Sequence, residues 1–131
     1  MSKAETLRDD LGRAVERLDE ACRRVAAQSS EDALLRDGLI QRFEFSFELA
    51  WKAVQAASAE EGVVVRSPKA ALAHALQSGW ARGEETWFRM LEARNLSSHT
   101  YDEAVAEELA AEIPAFVAPL RSLADALGSR R

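Results

Sequence analysis

An all-α, up-and-down bundle of four to five helices is predicted for this chain from three observations. Apolar residues recur at steps of three and four along most of its length. The one β-branched run, Val63-Val64-Val65, has no second strand-like run to pair with. Ser, Pro and Gly fall where such helices would start and stop. At 131 residues the chain has the size of one domain with one core. No repeat, low-complexity tract or linker divides residues 1–131.

The first helix, about residues 4–28, carries Leu7, Leu11, Ala14, Leu18, Ala21 with Cys22, and Val25 on one face. Asp9/Arg13, Asp19/Arg23 and Glu20/Arg24 are expected as i,i+4 ion pairs on its outer face. Cap-type Ser29 and Ser30 precede the second helix, with Glu31 and Asp32 in its first turn. That helix ends near Glu61, with Gly62 as the residue after the cap. Ile40, Phe43, Phe47, Trp51 and Val54 form its main stripe, and Leu39, Phe45 and Leu49 widen it. A helix so broadly apolar lies in the core or touches a second subunit. Its embedded charges Arg42, Glu44, Glu48 and Lys52 fit a row facing water better than the lining of a cleft.

Residues 63–66 read as an extended connector. Ser67-Pro68 opens a short third helix, with Ser as cap and Pro in the first turn, ending at Gln77 near Gly79. His74 on this helix has no ligand-type residue at metal spacing and reads as structural. Trp80, Trp87, Phe88 and Leu91 anchor a fourth helix, from after Arg82-Gly83 to about Asn95. The last begins at Tyr101 or Asp102 and carries Ala106, Leu109, Ile113, Phe116, Leu120, Leu123 and Leu127 on one face. Pro114 and Pro119 should kink or split it near residues 112–115. Residues 128–131 are expected to fray.

Composition excludes some functions. A formal net charge of −5 argues against a protein that coats nucleic acid by bulk attraction, so any RNA contact is local. Cys22 is the sole cysteine, which rules out an intrachain disulfide and a zinc-type Cys pair and suits a reducing cytoplasm. The opening MSKAETLRDD lacks a signal-type apolar stretch, and no run approaches the ~20 apolar residues of a membrane span. The expectation is a soluble, cytoplasmic protein with no membrane contact.

The chemistry concentrates in Arg94-Asn95-Leu96-Ser97-Ser98-His99-Thr100-Tyr101, where the fourth helical pattern runs out. Arginine keeps its charge at any working pH and forks onto phosphate; histidine exchanges a proton near neutrality. On a continuous helix Asn95 and His99 lie about 40° apart and Arg94 and Tyr101 about 20°, but Arg94 and His99 differ by about 140°. Ser97-Ser98 are weak helix formers and good caps, so a break there is expected to turn both toward one cleft. The spacing alone has little specificity in a chain with 14 arginines and 2 histidines. A purely structural reading also fits: Arg94 pairs with a surface acid, His99 caps a helix, and Tyr101 packs its ring against the core.

Two long stretches, RDGLIQRFEFSFELAWKAVQ and SPKAALAHALQSGW…ETWFRMLEARNLSSHTYDE, resemble the bacterial nucleotidyltransferase substrate-binding proteins. These belong to the HEPN superfamily of helical bundles, which includes the HepT toxins. The family's R-x4-H-x-Y motif reads here as Arg94, His99 and Tyr101, with Asn95 at the polar position after the Arg. The resemblance implies a HEPN-like homodimer whose facing motifs form a metal-independent endoribonuclease site, with no metal or other cofactor of its own. His99 would move the proton of the RNA 2′-hydroxyl or leaving oxygen, Arg94 would stabilise the charge developing on phosphorus, and Asn95 would orient the pair. It further implies a partner, a minimal nucleotidyltransferase, that silences the toxin by transferring AMP to Tyr101. This chain lacks the Gly-Ser followed by Asp-x-Asp of a transferase, so it resembles the partner and not the transferase. The alternative within the same family is a non-catalytic subunit that presents substrate to the transferase, which the acidic composition favours.

Overall fold

The computed structural model describes residues 1–28 and 32–130. Its described residues form six α-helices and no strand: α1 (Lys3–Ala27), α2 (Ala33–Glu60), α3 (Pro68–Gln77), α4 (Glu84–Leu96), α5 (Glu103–Glu112) and α6 (Val117–Gly128). Short 3-10 turns occupy Ser97–His99 and Ile113–Phe116, and the second makes α5 and α6 continuous. The predicted all-α bundle is the observed class.

Local chemistry sets the boundaries. Ser2 caps α1 by accepting from the Glu5 N–H, and Ser67 caps α3 by accepting from Ala70 N–H, with Pro68 in the first turn. Asp32 is the cap of α2, accepting from Leu34 and Leu35 N–H groups, and not a first-turn residue as the sequence suggested. The expected roles of Ser29, Ser30 and Glu31 lie outside the described residues. Gly62 follows α2 at φ +80°, which lets the Val63 N–H reach the Ser58 carbonyl at 2.9 Å and close the helix. Residues 63–66 form the expected non-helical connector.

α2 runs antiparallel to α1 and is its most extensive neighbour; Arg42 meets Arg17 at one level and Ala57 meets Ala4 at another. The α5–α6 rod runs parallel to α2, tied at one end by Arg36 to Glu103 and at the other by Arg130 to Glu60 and Glu61. α4 runs antiparallel to both and meets α2 at Glu44 and Glu48. The core between them holds Leu11, Leu18, Phe43, Phe47, Trp87, Met90, Leu120 and Leu123, all essentially without exposure. Phe43 packs its ring at 5.3 Å from Phe116 and 6.2 Å from Phe47. Burying several such side chains, at roughly 1.5–3 kcal/mol each, supplies the main drive to fold.

The structure corrects several expectations. Asp9 bonds its neighbour Arg8 and Arg13 takes Asp10, so the Asp9/Arg13 pair does not form, whereas Asp19–Arg23 and Glu20–Arg24 do. Pro114 falls in the 3-10 turn as expected, and Pro119 sits in the first turn of α6 just after it, so the irregular stretch is confined to Ile113–Phe116. Residue Arg130 is not frayed: it pairs with Glu60 and Glu61 and lies 5.7 Å over the Trp80 ring. His74 is structural, its Nε2 at 3.3 Å from Ser78 Oγ and its ring edge-on to Trp80. Burial and the nearby Asp19 push the half-buried Cys22 thiol up to about 11, which leaves it protonated at neutral pH. Among the described residues no helix is long and apolar enough to cross a membrane.

Candidate functional site

Arg94 and Asn95 occupy the last turn of α4, and the break expected after them is present. Ser97 Oγ lies 2.6 Å from the Arg94 carbonyl and 3.0 Å from Glu44 Oε2, so its single proton serves one acceptor at a time. Ser98 Oγ donates to the Asn95 carbonyl at 3.2 Å. These hydroxyls satisfy carbonyls that a continuing helix would have used, and the chain turns through Ser97–His99. Asp102 then caps α5 by accepting from Ala104 N–H at 2.9 Å and Val105 N–H at 3.3 Å. The motif therefore spans one corner of the bundle, between α4 and α5.

Within that corner the side chains form two couples. Arg94 Nη2 is 3.5 Å from Glu48 Oε2 on α2, and both are partly exposed. Glu48 also accepts from Trp51 Nε1 at 3.1 Å and faces Lys52 Nζ at 3.3 Å. Burial raises the Glu48 pKa, but bonds from Trp51 and Lys52 and the charges of Lys52 and Arg94 outweigh it and hold the carboxyl below its usual range. Glu48 is thus ionised at neutral pH. A half-exposed pair at this distance contributes only about 0–1 kcal/mol, so an arriving phosphate can compete for Arg94.

His99 and Tyr101 form the second couple. Nδ1 of His99 lies 3.4 Å from the Tyr101 hydroxyl, and the rings meet edge to face at 5.9 Å and 73°. Tyr101 is 84% exposed, which overturns the expectation that its ring packs on the core. The structural reading of Arg94 as partner of an acid matches its contact with Glu48. Asn95 is exposed, and among the described residues no hydrogen bond joins Arg94 or Asn95 to His99. Nor do any three His, Cys, Asp or Glu side chains among the described residues cluster as metal ligands would.

Two features of the corner escaped the sequence reading. Arg36 of α2 is only 6% exposed, and it forks onto Glu103, with Nη1–Oε2 at 3.0 Å and Nη2–Oε1 at 3.3 Å. Glu103 opens α5 two residues past Tyr101, so the fork holds the base of the tyrosine loop against α2. The available signal was position: Arg36 precedes Leu39 and Ile40 by three and four residues and so lies on their buried face. The second feature is the charge row of α2. Arg42 and Glu48 line a cleft of about 590 Å³ against α1, and Glu44 reaches Ser97, so the row does not simply face water.

Comparison with known proteins places the chain in a family. The family model described as nucleotidyltransferase substrate binding protein like matches residues 8–129. A solved protein from Thermus thermophilus is 32% identical, with a TM-score of 0.75 over 89% of this chain and 99% of its own. A Haemophilus influenzae protein, whose structure is described as revealing the fold of a substrate binding domain of a nucleotidyltransferase, is 25% identical. Its TM-score is 0.83 over 93% of this chain and 99% of its own. No curated protein matches. With the match running through nearly every helix of the bundle, the chain belongs to the nucleotidyltransferase substrate-binding protein-like family.

Proposed function

We propose that this chain acts, as one domain across residues 1–131, as the substrate-binding subunit of a two-component nucleotidyltransferase. Its partner is a minimal transferase that supplies ATP and magnesium, and the group it presents to that partner is Tyr101. The observation that carries this reading is the 84% exposure of the chain's only phenol, with its hydroxyl 3.4 Å from an imidazole nitrogen. A tyrosine ring of that size left in water gains nothing for the fold. In the transfer, the phenol oxygen attacks the α-phosphorus of ATP, the α–β bridging bond breaks, and pyrophosphate leaves. The phenol proton passes to His99, and Arg94 offers its charge to the transferred phosphate once drawn from Glu48.

Incubation with a minimal nucleotidyltransferase, ATP and magnesium should add AMP, read by intact mass. Tyr101→Phe should abolish the addition with the helical CD signal unchanged, and His99→Ala should slow it by about 10²-fold or more. AMP appearing on Tyr101→Phe as readily as on the native chain would sink the assignment.

A second reading, the HepT-like toxin, is favoured by two observations: Arg94 is held only weakly by Glu48, and His99 is exposed with only the Tyr101 hydroxyl near its ring nitrogen. In it the corner is a metal-independent ribonuclease, two corners face one another in a homodimer, Asn95 orients the pair, and AMP on Tyr101 silences cleavage. RNA cut in EDTA by the native chain, and lost in Arg94→Ala and His99→Ala, would establish it. No cleavage by the native chain leaves the non-catalytic subunit.

A further inference from the structure

The cleft between α1 and α2 is not accounted for by the 94–101 corner. Asp10, Arg13 and Arg17 line it from α1, and Arg42, Phe45 and Leu49 line it from α2. Each set repeats at three- and four-residue steps, so each projects from one side of its helix. Phe45 is 56% exposed there, although most large apolar side chains of α2 are buried.

The charges decide what the cleft can hold. Asp10 pairs with Arg13, and the other two acids on the wall are also neutralised, Glu20 by Arg24 at 3.3 Å and Glu48 by Lys52 and Arg94. Arg17 and Arg42 form no ion pair among the described residues. Arg42 is nonetheless fixed, because its Nη1 donates to the Arg17 carbonyl at 2.9 Å. Two arginines with unspent guanidinium donors therefore line the cleft together with an exposed aromatic ring. Guanidinium suits phosphate oxygens, and an exposed aromatic face suits a base. A volume of about 590 Å³ is that of a small-molecule pocket. A strand of RNA would need a longer basic track, and Arg17 is flanked on α1 by Glu16 and Asp19, which pair with Arg121.

We propose that this cleft binds a nucleoside phosphate, with its base on Phe45 and its phosphates on Arg17 and Arg42. This names the ligand class of a substrate-binding subunit and rests on that part of the proposed function, but not on Tyr101. Titration of the purified chain with ATP, without transferase or metal, followed by calorimetry, is the test. The native chain should bind ATP more tightly than adenosine or inorganic phosphate, and less tightly as salt rises. Arg17→Ala and Arg42→Ala should each weaken binding about tenfold or more, and Phe45→Ala about fivefold or more. Arg66→Ala, a control at an exposed arginine outside the cleft, should change nothing. Arg17→Glu keeps the proposal testable if Arg42→Ala fails to fold, since Arg17 is exposed on α1.

Equal ATP binding by the native chain and the Arg17 and Phe45 variants overturns the proposal. So does an absence of ATP binding while Phe45→Ala changes the oligomeric state, because a second copy then covers the ring. Failed ATP binding with normal AMP addition to Tyr101 sinks the cleft alone. Normal ATP binding without AMP addition sinks the acceptor role alone.

Discussion

A guanidinium with only 6% of its surface in water must find its partners inside the protein, and Arg36 forks onto Glu103 with Asp37 as a weaker second contact, 3.8 Å from Nε. The pair is lopsided, since the Arg36 side chain is 7% exposed and that of Glu103 is 74%. Removing either end therefore has different consequences. Arg36→Met keeps the volume and releases a carboxylate that water can solvate, so stability should change little. Glu103→Ala leaves the buried guanidinium with only Asp37, 3.8 Å from Nε, and should cost about 1 kcal/mol, less than a fully buried pair because Glu103 already faces solvent. Urea denaturation measures this difference. Both variants should speed hydrogen exchange at the Ala104 and Val105 N–H groups, since the fork holds the start of α5. Unchanged exchange in both would show that Asp102 alone sets the tyrosine loop. The sequence marked Tyr101 through its rarity, but Arg36 was hidden because its partner lies 67 residues away, and no local pattern carries that separation.

At the scale of elements, Arg89 of α4 braces Glu112 at the end of α5. The Arg89 bond, against some desolvation, holds the Glu112 carboxyl below its usual range. A carboxylate depressed in the folded state stabilises fully above its unfolded pKa and loses that contribution as pH falls through the folded value. Glu112→Gln should therefore lower stability by about 0.5–1 kcal/mol at pH 7, and the gap to the native chain should close below the ordinary carboxylate range. Melting curves across pH check it, and a gap independent of pH would assign the loss to packing. Helix starts and stops were legible because Ser67-Pro68, Gly62 and Gly79 act on their own neighbours. What was not legible arose between elements: the tail was misread because Glu60, Glu61 and Trp80, which hold Arg130, come from elsewhere in the chain. The charge row of α2 was misread for the same reason, since only the approach of α1 turns it into a cleft wall.

For the whole molecule, the question is what covers the end of the bundle where α2 and α5 begin. Leu34 is 83% exposed and stands two residues before Arg36, while Tyr101 is 84% exposed and stands two residues before Glu103. The Arg36–Glu103 fork brings these two starts together, so both uncovered side chains lie at one end. We predict that a second copy covers Leu34 at this end, leaving Tyr101 at the rim where a transferase can reach it, since a two-fold contact is the commonest assembly. A homodimer joined at this end would set two 94–101 corners face to face. Light scattering at micromolar concentration should give twice the chain mass. Leu34→Glu should return the chain to a monomer with its helical signal intact, because an acid in the first turn favours the N-terminus of α2. If the corners work only as a pair, that monomer should also lose any RNA cleavage while still accepting AMP on Tyr101. A native chain that scatters as a monomer, or a Leu34→Glu chain that stays dimeric, would move the interface away from this end.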